Sequence, residues 1–276
     1  MTNPAIRAIK QIYSTLYGQE AKVADYVLRH PDIAAKMTVT ELAERSHVSE
    51  ATVMRFSKKA GFKGFYHLKI SLARQSVLKQ TITDDPNLST VVRDLFKEKV
   101  ADLGWTQQVI DISVLQETLN QLKKSQMVYL FAAGNTNNLA AYASYLFNQL
   151  GVKAISTPLP EAQLNLAYQM RPTDFCLLLS DSGGTKLILD IAEICNQNRI
   201  PMVALTSQDK SPLTQLARRV LLGVHRAPSA LEIAASTRLP LIAILDLLVT
   251  LLAADDSGHY VQYGSEREGN LAQYKY

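Results

Sequence analysis

The sequence predicts an α/β protein in two parts: an all-α amino-terminal domain joined to a doubly wound, flavodoxin-like parallel sheet. The length predicts the division, because 276 residues are more than one small core usually organises. The hydrophobic pattern predicts the structural class of each part, all-α for the first and α/β for the second. Helical periodicity dominates to about residue 125, and after Met127 short apolar runs alternate with helical patterns. Such alternation is typical of βαβ units with helices on both faces of a sheet.

The elements can be placed in order along the chain. Residues 4–30 predict two helices that break near Gly18, with Pro31 ending the second. Thr40 is expected to cap a short helix, Ser49 caps the next one to about Ala60, and a further helix runs over residues 65–79. Strands are expected at 127–133, 152–155, 174–179, 200–205 and 220–224, and a closing helix at 233–253. The predicted divisions are 1–80, a linker and helical connection at 81–125 in which 81–90 is the linker, the sheet domain at 126–256, and a polar tail at 257–276 without regular structure.

Composition excludes several classes of protein. The chain is 47% hydrophobic and 20% charged, which excludes a disordered or low-complexity protein. Two cysteines, Cys176 and Cys195, are too few for a disulfide scaffold or a Cys-rich zinc module. Both are expected to be buried reduced thiols, and a bridge between them is the less favoured alternative. The most apolar stretch, 239–254, contains Pro240 and Asp246 and is shorter than the ~20 residues of a membrane span. We therefore expect a cytoplasmic protein with no membrane partner, and no metal or cofactor.

Positive charge is concentrated at the amino-terminal end. Residues 1–80 contain 13 Lys and Arg against 6 Asp and Glu, and no acid lies between Glu50 and Asp84. A stretch of one sign within a periodic apolar pattern indicates a face built for a polyanion, although a merely solvated basic surface is the alternative.

The spacing of residues 41–58 satisfies the packing needs of a helix-turn-helix. Two short helices that cross at a tight turn need a small residue at their contact, and Ala43 supplies it. The expected inward-facing apolar residues are Leu42, Val48, Val53 and Phe56. Two positions depart from the usual pattern: Ser46 stands where alanine is commoner, and His47 stands where glycine is commoner. His47 is therefore expected to adopt a positive φ.

Helical geometry then decides which residues of the second helix face outward. Arg55 is the best candidate for a bidentate contact to a guanine edge. Thr52, Lys58, Lys59 and Lys63 are expected to contact phosphates. The predicted DNA-binding residues are Ser49, Glu50, Ala51, Thr52, Met54, Arg55, Lys58, Lys59 and Lys63, which would enter or flank a major groove. The alternative is a plain three-helix bundle with a basic face.

Two loops of the second domain have the composition of a phosphate site. Residues 133–138 (AGNTNN) follow the first predicted strand, and residues 180–185 (SDSGGT) follow the third. Each leads into a helix, whose free N–H groups and partial positive charge suit an anion. Neither loop contains lysine or a P-loop pattern, so nucleoside triphosphate hydrolysis is not expected. Ordinary strand-to-helix turns with N-caps are the alternative.

These segments resemble a known family. Residues 48–65 (VSEATVMRFSKKAGFKGF) resemble the DNA-binding segment of the RpiR family of bacterial transcriptional regulators, and residues 127–253 resemble a sugar isomerase (SIS) domain. Ser180, Ser182, Gly183 and Thr185 match the SIS phosphosugar loop. A further stretch, with Thr206, Ser207, Ser211 and Ala217, matches the region after the fourth strand.

The resemblance implies a homodimer or homotetramer that binds double-stranded operator DNA and senses a sugar phosphate. The effector-binding residues it implies are Gly134, Asn135, Thr136, Ser180, Ser182, Gly183 and Thr185. The first loop is less rich in Gly and Ser than is common in the family. Asp181 adds a carboxylate to the second loop, and it is expected to point to solvent or to pair with Lys186.

Two alternatives remain open. An aldose–ketose phosphate isomerase would need a general base, for which the candidates are Glu161, His225, Glu232 and His259; none lies in a recognisable catalytic pattern. The other alternative is a DNA-binding protein whose SIS domain serves only in dimerisation. The regulator is favoured, and we expect no catalytic residues.

Overall fold

The computed structural model describes residues 3–79, 88–225, 238–254 and 258–274. The chain divides into two compact units. The first comprises residues 1–102 together with 225–237, and the second comprises residues 103–224 together with 238–276. Most of the predicted linker, and the predicted start of the closing helix at Ile233, lie outside the described residues.

The first unit is helical. It contains α1 (Pro4–Ile12), α2 (Gln19–Arg29), α3 (Pro31–Ala34), α4 (Val39–Arg45), α5 (Glu50–Lys59), α6 (Phe65–Lys79) and the first part of α7 (Leu88–Val109). The predicted break near Gly18 is confirmed, and Gly18 has a φ of 55°. The predicted cap at Thr40 is wrong. Thr38 caps α4 in a capping box with Glu41, while Thr40 lies inside the helix. Residues 88–90, expected in the linker, already belong to α7.

The core of the first unit forms where the periodicity placed it. Leu42, Val53 and Phe56 are fully buried, and Ala43 lies where α4 and α5 meet. The turn between these helices contains His47 with a φ of 54°, as expected for a residue standing where glycine is usual. The predicted helix-turn-helix packing is confirmed.

The second unit is a five-stranded parallel sheet with helices on both faces. Its strands are β1 (Val128–Ala132), β2 (Ala154–Ser156), β3 (Phe175–Leu179), β4 (Met202–Thr206) and β5 (Val220–Leu222), in the order β2-β1-β3-β4-β5. The remaining helices are α8 (Ile112–Lys124), α9 (Asn137–Gln149), α10 (Pro160–Gln169), α11 (Lys186–Asn198), α12 (Pro212–Leu216), α13 (Leu239–Ala253) and α14 (His259–Leu271). The predicted doubly wound, flavodoxin-like sheet is confirmed.

Two apolar cores lie on the two faces of this sheet. One contains Leu177 and Leu245 of α13, and the other contains Leu178 and Ile191 of α11. The central strands β3 and β4 are buried along their whole length, which explains why they appear in the sequence as continuous apolar runs. Cys176 and Cys195 are both buried free thiols.

The carboxyl-terminal segment differs from expectation. Residues 259–271 form helix α14, followed by a short 3₁₀ turn, where no regular structure was predicted. Tyr260 is buried in the core that contains α13, and the ring of Tyr263 lies against Gly151. Tertiary packing of these tyrosines stabilises a helix whose own sequence is largely polar. Among the described helices, none is both long and apolar enough to cross a membrane.

Candidate functional site

The amino-terminal end of α5 is held by hydroxyl groups. The Oγ of Ser49 accepts a hydrogen bond from the Thr52 backbone N–H (3.3 Å) and lies 2.9 Å from Thr52 Oγ1. Thr40 of α4 donates through its hydroxyl to Glu50 Oε1 at 2.5 Å. Glu50 is thus engaged with the neighbouring helix, and the two helices are joined at the start of α5.

The outward face of α5 is exposed as the sequence predicted. Ala51, Met54, Arg55 and Lys58 are all exposed, and so is Lys63 beyond the helix. The guanidinium of Arg55 donates to Thr52 Oγ1 at 3.2 Å, so the side chain lies along the helix. This face presents the guanidinium of Arg55, the ammonium group of Lys58 and the apolar side chains of Ala51 and Met54. Such groups can bind base edges and phosphates in a DNA groove.

Two of the predicted phosphate contacts are engaged elsewhere. Thr52 is buried, with 3% of its surface exposed. Lys59 Nζ donates to the Thr15 carbonyl oxygen (2.9 Å) and to Glu20 Oε2 (3.0 Å). Thr52 is thus covered by the protein and Lys59 is exposed but ion-paired, whereas Lys58 and Lys63 are exposed.

The second candidate site lies where the strand order of the sheet reverses. From β1 the chain passes to β2 on one side, while β3 lies on the other side of β1 and leads to β4 and β5. The ends of β1 and β3 are aligned, with Ala132 paired to Leu179. Ligands of open parallel sheets bind in the crevice at such a switch point, outside the carboxyl ends of the strands.

The two predicted loops meet at this point. Thr136 is buried, and its hydroxyl donates to the Ala133 carbonyl oxygen (2.9 Å) and lies 3.4 Å from the Leu179 carbonyl oxygen. Thr136 therefore joins the loop after β1 to the end of β3. Gly134 (φ 61°) and Asn135 are exposed beside it.

The loop after β3 is built around Gly183. Its φ is 61°, and its N–H donates to the Ser180 carbonyl oxygen at 3.0 Å. A Cβ atom at this position would lie 2.1 Å from the Oγ and 2.4 Å from the Cβ of Ser211. Only glycine fits both the backbone conformation and this contact. The bend at Gly183 therefore needs a residue without a side chain beside Ser211.

The hydroxyl groups of this loop fall into two sets. Ser180 is buried and donates to Thr185 Oγ1 at 3.2 Å. Ser182 is exposed, and its Oγ accepts a 3.4 Å hydrogen bond from the Gly184 N–H. Thr185 precedes α11, a helix without a side-chain cap at its amino-terminal end. The hydroxyl of Ser182 and the first N–H groups of α11 are thus the donors available to an anion.

Asp181 forms a hydrogen bond to Ser207 and does not pair with Lys186. Its Oδ1 accepts a hydrogen bond from the Ser207 hydroxyl at 2.6 Å. Lys186 instead binds Asp190, one turn further along α11, at 2.8 Å. Asp181 was expected to point to solvent or to pair with Lys186; it is half-buried, and Lys186 is paired with Asp190. Lys186 and Asp190 are four residues apart on one helix, which favours their pairing.

Gln163 of α10 was missed by the sequence analysis. It is fully buried, its Nε2 donates to the Ala132 carbonyl oxygen (2.8 Å), and its Oε1 accepts from the Ala132 N–H (3.3 Å). It satisfies the backbone of β1 beyond the last residue that pairs with β2. An amide among the apolar residues of a buried helix face was the available signal, since buried polar groups are normally hydrogen-bonded.

The candidate bases of an isomerase are not clustered in the described residues. Glu161 on α10 and His259 at the start of α14 are both exposed. Glu232 lies outside the described residues, and His225 is half-buried at their edge. Within the described ranges, no group of three or more His, Cys, Asp or Glu residues could hold a metal ion.

Comparison with protein families identifies both parts of the chain. The model for a helix-turn-helix domain of the rpiR family matches residues 5–77. The model for a SIS domain matches residues 121–251. The first match covers α5 and its exposed face, and the second covers both loops at the switch point.

Two curated relatives and one solved structure match most of the length of the chain. An uncharacterized HTH-type transcriptional regulator of Haemophilus influenzae is 27% identical over 256 residues, covering 90% of this chain and 89% of the relative. The HTH-type transcriptional regulator HexR of Pseudomonas aeruginosa is 24% identical, covering 84% and 82%. The structure of Vibrio vulnificus NanR in complex with ManNAc-6P has a TM-score of 0.82 at 22% identity, covering 98% of both chains, which supports the fold.

Proposed function

The chain belongs to the RpiR family of transcriptional regulators, with a helix-turn-helix domain and a SIS domain, and from this premise we propose that it binds operator DNA under the control of a sugar phosphate. Such a protein would regulate carbohydrate metabolism and act in the cytoplasm, where its operator lies. Two regulatory relatives, HexR and NanR, extend over most of the chain. The observation that carries the proposal is the exposed face of α5 in one unit together with the hydroxyl-lined switch point in the other.

The DNA-binding half of the proposal depends on Arg55. It is exposed at the centre of the outward face of α5, where a guanidinium can bind the O6 and N7 of guanine. We expect Arg55→Ala to abolish the specific footprint while leaving the circular dichroism spectrum and melting temperature unchanged. Arg7→Ala, an exposed arginine on α1, is the matched control and should retain the footprint. An Arg55→Ala protein that protects the operator like the wild type would refute the assignment of the recognition helix.

The effector half depends on the loop after β3. A phosphate at this point would accept hydrogen bonds from Ser182 and from the first N–H groups of α11, as anions do at helix amino termini. A screen of phosphorylated sugars by thermal shift should find a ligand, because a ligand that binds only the folded state raises the melting temperature. We expect Ser182→Ala to weaken this shift and to leave basal DNA binding intact. Ser125→Ala, three residues before β1 and thus at the amino ends of the strands, should behave as the wild type. A full response in Ser182→Ala would remove the phosphate loop from the proposal.

We propose that the chain acts as a homodimer or homotetramer. One recognition helix reads a single half-site, and a symmetric operator needs two. A stripe of large apolar side chains is exposed along α7: Leu88, Val92, Leu95, Phe96 and Val100. Such a stripe on a soluble protein indicates an association surface. Analytical ultracentrifugation of Phe96→Glu should show a shift towards the monomer. A monomeric wild type would refute this part.

A sugar-phosphate isomerase is the second candidate function, and we propose that the protein is not an enzyme. The two loops at the switch point are fully described, and their one carboxylate, Asp181, binds Ser207. A general base needs to reach the reacting carbon of its substrate. Turnover of any phosphosugar that is lost on replacing Glu161 or His259 would reverse this conclusion. If no sugar phosphate binds, the SIS domain would serve only in association.

A further inference from the structure

A cleft of about 230 Å³ opens on the first unit. It lies between α2 and the turn that joins α4 to α5. Its charged lining includes Lys22 and Arg29 of α2 and Arg45 at the end of α4, all of them exposed. Three cations from two elements therefore converge on one concave surface.

The cleft also contains a buried hydroxyl group without a partner. Ser46 lines it and is 4% exposed, and its Oγ has no hydrogen-bond partner among the described residues. A buried unpaired hydroxyl destabilises a protein, and alanine at this position would leave nothing unpaired. The sequence pattern of the motif favours alanine here, yet this chain has serine. The hydroxyl is thus a donor that rotation of the Ser46 side chain would present to a ligand in the cleft.

The remaining groups of the cleft leave its charge positive. Asp25 is the carboxylate in the lining, and it accepts a hydrogen bond from the hydroxyl of Tyr13. That hydrogen bond occupies one of its oxygens and raises the pKa of Tyr13. His30 and His47 supply further imidazole nitrogens. Three cations outnumber one carboxylate, so the ligand that fits is an anion with several acceptor oxygens.

We propose that this cleft binds a backbone phosphate of the operator, beside the groove entered by α5. Arg45, Ser46 and His47 lie two to four residues before Ser49, the cap of α5, so the cleft adjoins the recognition helix at its amino-terminal end. In helix-turn-helix proteins the helix before the recognition helix crosses the DNA backbone. The contact would fix the orientation of α5 without reading sequence. This inference depends on the proposed DNA-binding function.

The first test measures operator affinity as a function of salt for the full-length protein. The variant is Arg29→Gln/Arg45→Gln, and the control is Arg7→Gln/Lys10→Gln, which removes the same charge from exposed positions of α1. Each lost phosphate contact reduces the slope of log K against log salt by about 0.9. We therefore expect the cleft variant, which loses the contact to one phosphate, to lower the slope by about 0.9 and to weaken operator and scrambled DNA equally. The control should keep the wild-type slope.

The second test uses Ser46→Ala, which separates a binding role from a structural one. Removing an unpaired buried hydroxyl should leave the melting temperature equal to or above that of the wild type, while DNA binding weakens about 10- to 150-fold, as for loss of one hydrogen bond to a charged group. A structural role would lower the melting temperature and leave DNA affinity unchanged, and that outcome would overturn the proposal.

The outcomes distinguish this inference from the function on which it depends. A wild-type protein that binds no DNA refutes both. A wild type whose footprint is lost in Arg55→Ala, with both cleft variants binding normally, refutes the cleft alone. Inorganic phosphate, added at constant ionic strength without DNA, tests for a free anion. A rise in melting temperature that the double variant abolishes, with unchanged DNA affinity, would assign the cleft to a free phosphate and overturn the backbone role.

Discussion

Replacing Gly183 by alanine should destabilise the sheet-containing unit more than the same change at Gly134. The two glycines share a φ of 61° and each follows a strand. A left-handed conformation costs a residue with a Cβ about 1–2 kcal/mol at either position. At Gly134 nothing lies within 4 Å of the added Cβ, whereas at Gly183 it would lie 2.1 Å from Ser211 Oγ. Overpacking of this kind costs about 1–3 kcal/mol more. We therefore expect a free-energy loss of about 2–5 kcal/mol for Gly183→Ala, from these two terms.

Urea denaturation followed by tryptophan fluorescence can measure this difference. The chain has a single tryptophan, Trp105, which belongs to the same compact unit as the sheet. Gly134→Ala is the matched control, because it carries the conformational cost without the steric one. The reasoning would be refuted if the two variants unfolded at the same urea concentration with equal slopes, since the Ser211 contact would then contribute nothing.

Three further predictions concern single side chains. Thr38→Ala should lower the stability of the first unit by about 1 kcal/mol in differential scanning calorimetry, because the α4 capping box is lost. Thr40 lies inside α4, so Thr40→Ala should leave the cap intact. Gln163→Met should cost about 1–3 kcal/mol in urea denaturation, because it leaves the buried Ala132 N–H and carbonyl unpaired; an unchanged midpoint would contradict this. Burial raises the pKa of the Cys176 thiol well above its ordinary value, so iodoacetamide at pH 8 should not modify Cys176 until the protein is unfolded; mass spectrometry of the native protein checks this.

The sequence predicted correctly those features that depend on residues close together in the chain. The inward positions of Leu42, Val53 and Phe56 followed from helical spacing, and the positive φ of His47 followed from its place in a tight turn. The alignment of the two loops at the switch point also followed, because parallel strands place their carboxyl ends along one edge of a sheet. The residues of both sites nevertheless stay predictions until binding is measured.

The cap of α4, helix α14 and the partner of Asp181 were not predicted, because the short-range patterns used for the prediction did not distinguish the alternatives. Thr38 and Thr40 can both cap a helix, and the glutamate three residues after Thr38 decides in its favour by completing a capping box. Helix α14 is stabilised by the burial of Tyr260 against distant residues, which its polar sequence does not reveal. Asp181 binds Ser207 from the next loop rather than Lys186 nearby, because strand order brings that hydroxyl close.

The close fit of Gly183 against Ser211 also restricts how the chain can change during evolution. Leu213, two residues further on, donates its N–H to the Gly183 carbonyl oxygen at 2.9 Å, so the segment after β4 both packs against Gly183 and forms a hydrogen bond to it. A larger residue at position 211 would clash with the backbone at Gly183, so a substitution at either position requires a change at the other. Homologues with a different ligand specificity should therefore keep Gly183 and Ser211 and differ instead at exposed residues of the site, such as Asn135 and its neighbours.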